Sequence, residues 1–148
     1  MRVYFAGPLF SSAERAWNAE LVRRLRVAGH EVFLRQENEA GLVAASIFRI
    51  DVDAIDRADA LIAVMDGPDP DSGTAWECGY AYGRKPLILI RTDPRNTSDD
   101  TGMPYNAMLT QSATVRLDIG WADMATVEAA VLETLSSLSG VTGSGRSA

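Results

Sequence analysis

A chain of 148 residues with 47% hydrophobic and 23% charged side chains has the size and balance of one folded domain, which excludes a disordered polypeptide. Its net charge of −6 argues against a nucleic-acid backbone as the main partner, because phosphate binding calls for a basic surface, and is compatible with a neutral small molecule. No apolar run approaches the roughly 20 residues of a membrane span, the first apolar stretch is too short for a secretory signal, and the single cysteine, Cys78, forms no internal disulfide. The expectation is a cytoplasmic protein with no membrane partner.

Taken in chain order, "RVYFAG" reads as a strand that stops at the Gly7-Pro8 turn. "SSAERAWNAELVRRLRVAG" reads as a helix capped by Ser11 or Ser12 and stopped at Gly29. "HEVFL" is a short strand and "RQENEAG" a polar loop. "AASIFRIDVDAIDRAD" has helical spacing at Ile47, Ile50 and Ile55 and ends near Arg57. "ALIAVMD" and "PLILIRT" are continuous apolar strands of the kind covered on both faces, and "SGTAWECGYAYGRK" between them is a helix. A polar loop over residues 91–104, a short helix "YNAMLTQ", a strand "ATVRLD" and a closing helix "MATVEAAVLETLSSL" complete a domain over residues 1–139. Residues 140–148 read as a frayed tail. Alternating strands and helices with buried central strands predict a single flavodoxin-like α/β domain. Its doubly wound, five-stranded parallel sheet takes the order 2-1-3-4-5, and ligands bind at the carboxyl ends of the strands.

That rule puts the turn "MDGPDPDSG" on the binding rim. Behind it, Glu77 is the only charged side chain between Ser72 and Gly83. With Asp71 or Ser72 as N-cap, Glu77 falls in the second helical turn and shares a face with Gly73, Thr74, Tyr80 and Ala81. Small residues there let a ligand approach, and the helix N-terminus favours an ionised carboxylate suited to nucleophilic attack. The competing reading is a solvated Glu77 and a purely structural Asp71. In "RIDVDAIDRAD", Asp51 is placed near the start of its helix and so on the rim; Asp53 and Asp56 read as a solvated face, and Asp59 falls at the far end. His30 sits at the wrong end for a triad, and no His/Cys metal spacing occurs. The acids have the ligand type for Mg²⁺, but nothing in the spacing makes them converge. Cys78, the three tryptophans, Tyr80 and Tyr82 read as packing residues, and Tyr4, at the end of the first strand, is placed to stack on a ligand.

Together, "VYFAGPLF", "DVDAIDRADALIAVMDG", "DSGTAWECGYAYGRKPLILI" and "NAM" resemble the nucleoside 2-deoxyribosyltransferase family, over residues 2–117. The resemblance implies transfer of 2-deoxyribose between nucleobases by a retaining double displacement, with 2′-deoxynucleosides and free bases as partners and no cofactor or metal. It puts the nucleophile on Glu77, the base-contacting acid on Asp51, and the sugar-binding acid that orients the nucleophile on Asp71. Tyr4, Gly7, Pro8 and Gly73 then line the pocket, Gln36 contacts the base, and Asn106 and Met108 are lent to a neighbouring subunit's site, which makes the protein a homo-oligomer. Residues 105–108 would then form a lid that keeps water from the sugar ester. Related folds hydrolyse deoxynucleoside or cytidine 5′-monophosphates with the same glutamate. They need a phosphate cradle in the first loop, where this chain offers Ser11, Ser12 and Arg15 but no glycine-rich turn. A non-catalytic nucleotide-binding module is the third reading on the same fold.

Overall fold

The computed structural model describes residues 1–38, 43–95 and 103–143. In chain order the elements are β1 (Arg2–Ala6), α1 (Ser12–Val27), β2 (Glu31–Leu34), a single 3-10 turn (Arg35–Glu37), α2 (Ala44–Arg57), β3 (Ala60–Val64), α3 (Ser72–Ala81), β4 (Leu87–Arg91), α4 (Ala107–Ser112), β5 (Val115–Asp118) and α5 (Met124–Gly143). The five strands form one sheet in the order β2-β1-β3-β4-β5, and every neighbouring pair is parallel. This is the doubly wound order that the alternation of elements predicts.

Strand side chains alternate between the two faces, and each face has its own core. Val3, Phe5, Ile62, Val64, Ile88 and Ile90 pack with Leu21 and Leu25 of α1 and with Val127, Val131 and Leu135 of α5. Tyr4, Ala6, Leu61, Ala63, Leu87 and Leu89 pack on the other face with Ile55 of α2, Cys78 and Ala81 of α3, and Leu109 of α4. The unbroken apolar runs of β3 and β4 are thus explained: every residue of both strands is buried.

Turn chemistry fixes the rim where the sheet ends. Ser11 caps α1 by accepting from the Glu14 amide at 3.2 Å, while Glu14 Oε2 accepts from the Ser11 amide at 2.7 Å and the Phe10 amide at 3.0 Å. This reciprocal box holds the loop after β1 in place. Asp66, just past β3, accepts from the Thr92 amide and hydroxyl, both at 2.6 Å, and from the Asp93 amide at 2.9 Å. The buried Arg91 guanidinium donates to the carbonyls of Met65 and Gly67, the latter at 3.1 Å, and so clamps the same loop from β4. Gly67 has φ of 106°, a left-handed conformation that side chains with a Cβ rarely adopt.

Four elements differ from the sequence reading. The segment after β2 carries a 3-10 turn at Arg35–Glu37 rather than plain loop. Asp51 falls in the middle of α2, not near its start, although the helix begins at Ala44 as the sequence reading has it. Helix α3 stops at Ala81, where Gly83 with φ of 74° turns the chain, so Tyr82 is exposed. Helix α5 runs on to Gly143, past residue 139; the remainder of the expected tail, 144–148, lies outside the described residues, as do 39–42 and 96–102 of the two polar loops.

Asp66 is the tie between β3 and β4 at the rim, so Asp66→Ala is expected to cost about 2 kcal/mol for the unpaired amides it leaves. Asp66→Asn, which keeps an oxygen for the two amides, is expected to cost less than half of that. Urea unfolding of both variants measures the difference.

Candidate functional site

The carboxyl ends of β1 and β2 and the flanking helices α2 and α3 surround a cavity of about 390 Å³. Its wall includes Gly7, Leu9 and Phe10 from the loop after β1, Arg35 of the 3-10 turn, Ile47 and Asp51 of α2, and Asp71, Gly73, Thr74 and Glu77 at α3. Asp71 is the N-cap of α3: its Oδ2 accepts from the Thr74 amide at 2.8 Å and the Thr74 hydroxyl at 3.1 Å. One helical face then presents Gly73, Thr74 and Glu77 to the same space, as the three- and four-residue spacing requires. A Cβ on Gly73 would stand 3.2 Å from Asp71 Oδ2, so any larger residue there crowds the cap carboxylate.

Glu77 is largely buried, and its Oε1 accepts a 2.6 Å hydrogen bond from the Tyr4 hydroxyl. The ion pairs of the described residues do not include it. Burial pushes the Glu77 carboxyl up from its ordinary 4.5 to about 7; the Tyr4 hydrogen bond opposes that rise, and the charges of Asp51 and Asp71 add to it. Burial therefore outweighs the helix N-terminus, whose field fades beyond the first turn. Tyr4 is itself pushed up, first by burial and then by the Glu77 charge, so it stays a donor. Asp51 is also raised by burial, against the pull of Arg35, whose Nε lies 3.1 Å from Asp51 Oδ2. The result is a half-ionised carboxylate near neutral pH, oriented by a phenol, with two further carboxylates in the same wall. That set can attack an electrophilic carbon and exchange protons with a leaving group.

The structure brings Asp51, Asp71, Glu77, Gly7 and Gly73 to one cavity and treats the other sequence candidates differently. Tyr4 is fully buried, with its ring stacked on Phe33 at 5.4 Å between centroids, so it reaches the site through its hydroxyl on Glu77 and not by stacking on a ligand. Pro8 is outside this wall, and its carbonyl accepts from Asn18 Nδ2 at 2.8 Å. Gln36 is turned towards α1, where its Nε2 donates to the Arg15 carbonyl at 2.8 Å and its Oε1 accepts from Asn18 at 3.4 Å. Asn106 caps α4 by accepting from the Met108 amide at 2.8 Å. It lines, with Met108, a second cavity of about 740 Å³ on the opposite side of α3, beside Ser72, Ala75 and Gly79. Tyr105 is a core residue and forms no part of a lid. Trp76, Trp121 and Tyr82 are exposed rather than packed inside, whereas Cys78 is buried, its thiol pushed up to about 12 by burial and the Glu77 charge.

Arg35, Phe10, Leu9 and Ile47 line the cavity without having been singled out as site residues in the sequence, whereas the sequence already places Thr74 on the Glu77 face. Arg35 had a neighbouring signal. The 3-10 turn, at about three residues per turn, points adjacent side chains in different directions, so Arg35 faces the cavity and Gln36 faces away. Among the described residues no group of three or more His, Cys, Asp or Glu side chains is placed to hold a metal ion, and no helix is long and apolar enough to cross a membrane.

A parallel 2-1-3-4-5 sheet with a buried carboxylate beyond its central strands defines a class that comparison with known proteins resolves further. The model of the nucleoside 2-deoxyribosyltransferase family matches residues 3–108. The chain belongs to that family. Among solved structures, it is similar to a 2-deoxyribosyltransferase from Bacillus psychrosaccharolyticus, at 28% identity and a TM-score of 0.66, covering 86% of this chain and 90% of that one. It is similar to a 2-desoxiribosyltransferase from Leishmania mexicana, also at 28% identity, with a TM-score of 0.65 and coverage of 79% and 89%. A CMP N-glycosidase from Clostridium botulinum shares the fold at 24% identity, with a TM-score of 0.58 and coverage of 80% and 89%. No curated protein matches the chain.

The raised Glu77 carboxyl makes a stability prediction with a definite sign. Its folded value of about 7 lies above the ordinary 4.5, so its contribution is full below the lower value and is lost as pH rises through the upper one. Glu77→Gln, neutral throughout, is therefore expected to gain stability over the parent as pH rises from about 5 to 8, by on the order of 3 kcal/mol at the top of the range. Equal Tm differences at both ends of that range, measured by scanning calorimetry, would contradict it.

Proposed function

We propose that the protein transfers 2-deoxyribose between nucleobases, with Glu77 as the nucleophile. The observation that carries this reading is the Glu77 carboxylate itself: largely buried in a cavity wall, outside the ion pairs of the described residues, and held by the Tyr4 hydroxyl at 2.6 Å. Burying a carboxylate without a cation is costly, and a site that uses it to attack carbon accounts for that cost. A Glu77 oxygen attacks C1′ of a 2′-deoxynucleoside. The C1′–N bond breaks with its electron pair going to the base nitrogen, which takes a proton from the Asp51 carboxyl. An incoming base then gives its proton to Asp51 and attacks C1′ of the deoxyribosyl ester, which releases Glu77. Two inversions give overall retention, as in retaining glycosidases. Asp71, the N-cap of α3 in the same cavity wall as Glu77, accepts from a sugar hydroxyl while it holds the first helical turn.

The cavity favours an unphosphorylated substrate. Arg35 is the only cation among its described lining residues, and Asp51 already engages it, while three carboxylates share the wall. At the loop after β1, Ser11 and Glu14 close the capping box, and Arg15 leans on the carbonyls of Leu9 and, from the 3-10 turn, Gln36. A 5′-phosphate finds no cradle there. The second cavity, on the other side of α3, carries the exposed Met108 together with Pro70, Ala75, Ala107 and Leu109. An apolar face of this kind suits a second copy of the chain. That arrangement takes Asn106 and Met108 to a neighbour's site and makes the active form a homo-oligomer.

Incubation with 2′-deoxyinosine and adenine is expected to yield 2′-deoxyadenosine, and Glu77→Ala is expected to lower that rate by at least a thousandfold with the fold retained. The 5′-monophosphate of deoxyinosine is expected to be at least tenfold poorer in kcat/KM. Hydrolysis of the monophosphate in preference to transfer from the nucleoside would replace this reading with an N-glycosidase.

Tyr4→Phe removes the hydrogen bond that favours the ionised Glu77. The ascending limb of the kcat/KM profile against pH is expected to move alkaline by about one pH unit, with a loss of roughly tenfold or more at neutral pH. An unmoved limb in the variant would contradict the role given to the phenol.

A further inference from the structure

The cavity wall contains a charged pair with geometry of its own. The Arg35 and Asp51 side chains are only 12% and 13% exposed, and Nε stands 3.1 Å from Oδ2. Arg35 Nη1 also donates to the Asn38 carbonyl at 2.9 Å. The guanidinium is thus fixed to the backbone after the 3-10 turn on one side and to α2 on the other. The second carboxylate oxygen, Asp51 Oδ1, is buried and has no hydrogen-bond partner among the described residues. Its neighbours one turn away on α2 are Ile47, which lines the cavity, and the fully buried Ile55, so the helix offers it nothing polar. An ion pair this shielded is strongly destabilised when one partner is removed, because the other is left buried and unmatched.

We propose that Arg35 is a positioning residue of this site: by gripping Oδ2 it holds the Asp51 carboxyl group in one orientation in the cavity wall, where that group exchanges its proton with the nucleobase. The proposal rests on the reading of the cavity as one that takes a nucleobase. Without the guanidinium, Asp51 either leaves the wall or takes up a proton, since burial already raises it and Arg35 alone pulls it down. The other titratable groups within reach of its charge are Tyr4 on β1 and Glu77 on α3, and both are raised by it; Asp71 bears on Glu77. A lysine supplies charge but not the planar fork that reaches both the carboxylate and the Asn38 carbonyl, so it replaces Arg35 only in part.

The test is a double-mutant cycle on Arg35→Gln, Asp51→Asn and the two combined, with Arg35→Lys alongside, read as kcat and KM for adenine in transfer from 2′-deoxyinosine and as Tm. Each single variant is expected to lose at least tenfold in kcat/KM, the combined variant is expected to be no worse than Asp51→Asn alone, and Arg35→Lys is expected to recover part of the loss. The pH limb that belongs to Asp51 is expected to move alkaline in Arg35→Gln, a change that a purely structural role would not produce. Losses that multiply in the combined variant, or an Arg35→Gln variant that loses Tm but keeps its rates and pH profile, would overturn the proposal. Wild-type turnover in the same assay decides the transfer reading separately. If turnover is absent, the cycle is read on 2′-deoxyinosine binding by calorimetry, with the same non-additivity required.

Discussion

The hydrogen bond from Tyr4 to Glu77 is the interaction on which the site depends. It joins Tyr4 in the middle of β1 to Glu77 in the second turn of α3, 73 residues further along the chain, and it runs from one of the two cores to the cavity wall. A phenol is a donor without a charge. It orients the carboxylate and favours its ionised form, yet leaves it far less stabilised than an arginine would. The balance that results, a carboxyl raised to about 7 by burial and restrained by one hydrogen bond, is what a nucleophile at neutral pH needs: enough anion to attack, and little stabilisation to lose when it does.

The fold supplies that balance through its topology. Because β1 lies between β2 and β3, the loop after β1, the 3-10 turn after β2 and helix α3 after β3 all meet at one rim. Alternation along β1 sends Tyr4 towards α2 and α3 and sends Val3 and Phe5 to the α1 and α5 face. The capping box at Ser11, the Asp66 tie and the Arg91 clamp are the means by which the rim loops hold still around a cavity. Asp71 belongs to the same scheme, since a cap that satisfies the Thr74 amide also fixes a carboxylate beside Glu77.

Much of this was legible in the residues. The unbroken apolar runs of β3 and β4 and the turn residues mark the elements by local rules of burial and backbone conformation, and the alternation of strands with helices points to the doubly wound order. Glu77 stands out as a single charge in an uncharged stretch, and three- and four-residue spacing puts Gly73 and Thr74 beside it. What the sequence hides is side-chain direction. Gln36 and Arg35 are adjacent, and only the 3-10 turn decides which of them faces the cavity. Tyr4 reads as a rim aromatic, but its ring is buried against Phe33 and only its hydroxyl reaches the site. Trp76 and Trp121 read as core, and their exposure follows from helix faces and a turn that composition does not reveal; Trp121 takes φ of 64° just after Gly120. The rise in the Glu77 carboxyl is likewise a property of three-dimensional burial, against which one helix end in the sequence is a weak guide.

The most direct measurement is the intact mass of the protein after rapid mixing with excess 2′-deoxyinosine and no acceptor base, followed by peptide mapping. The account predicts one added deoxyribosyl group on the peptide that contains Glu77, lost on addition of adenine with formation of 2′-deoxyadenosine. A protein that turns over the nucleoside with no such adduct, or with the adduct on another residue, would contradict it.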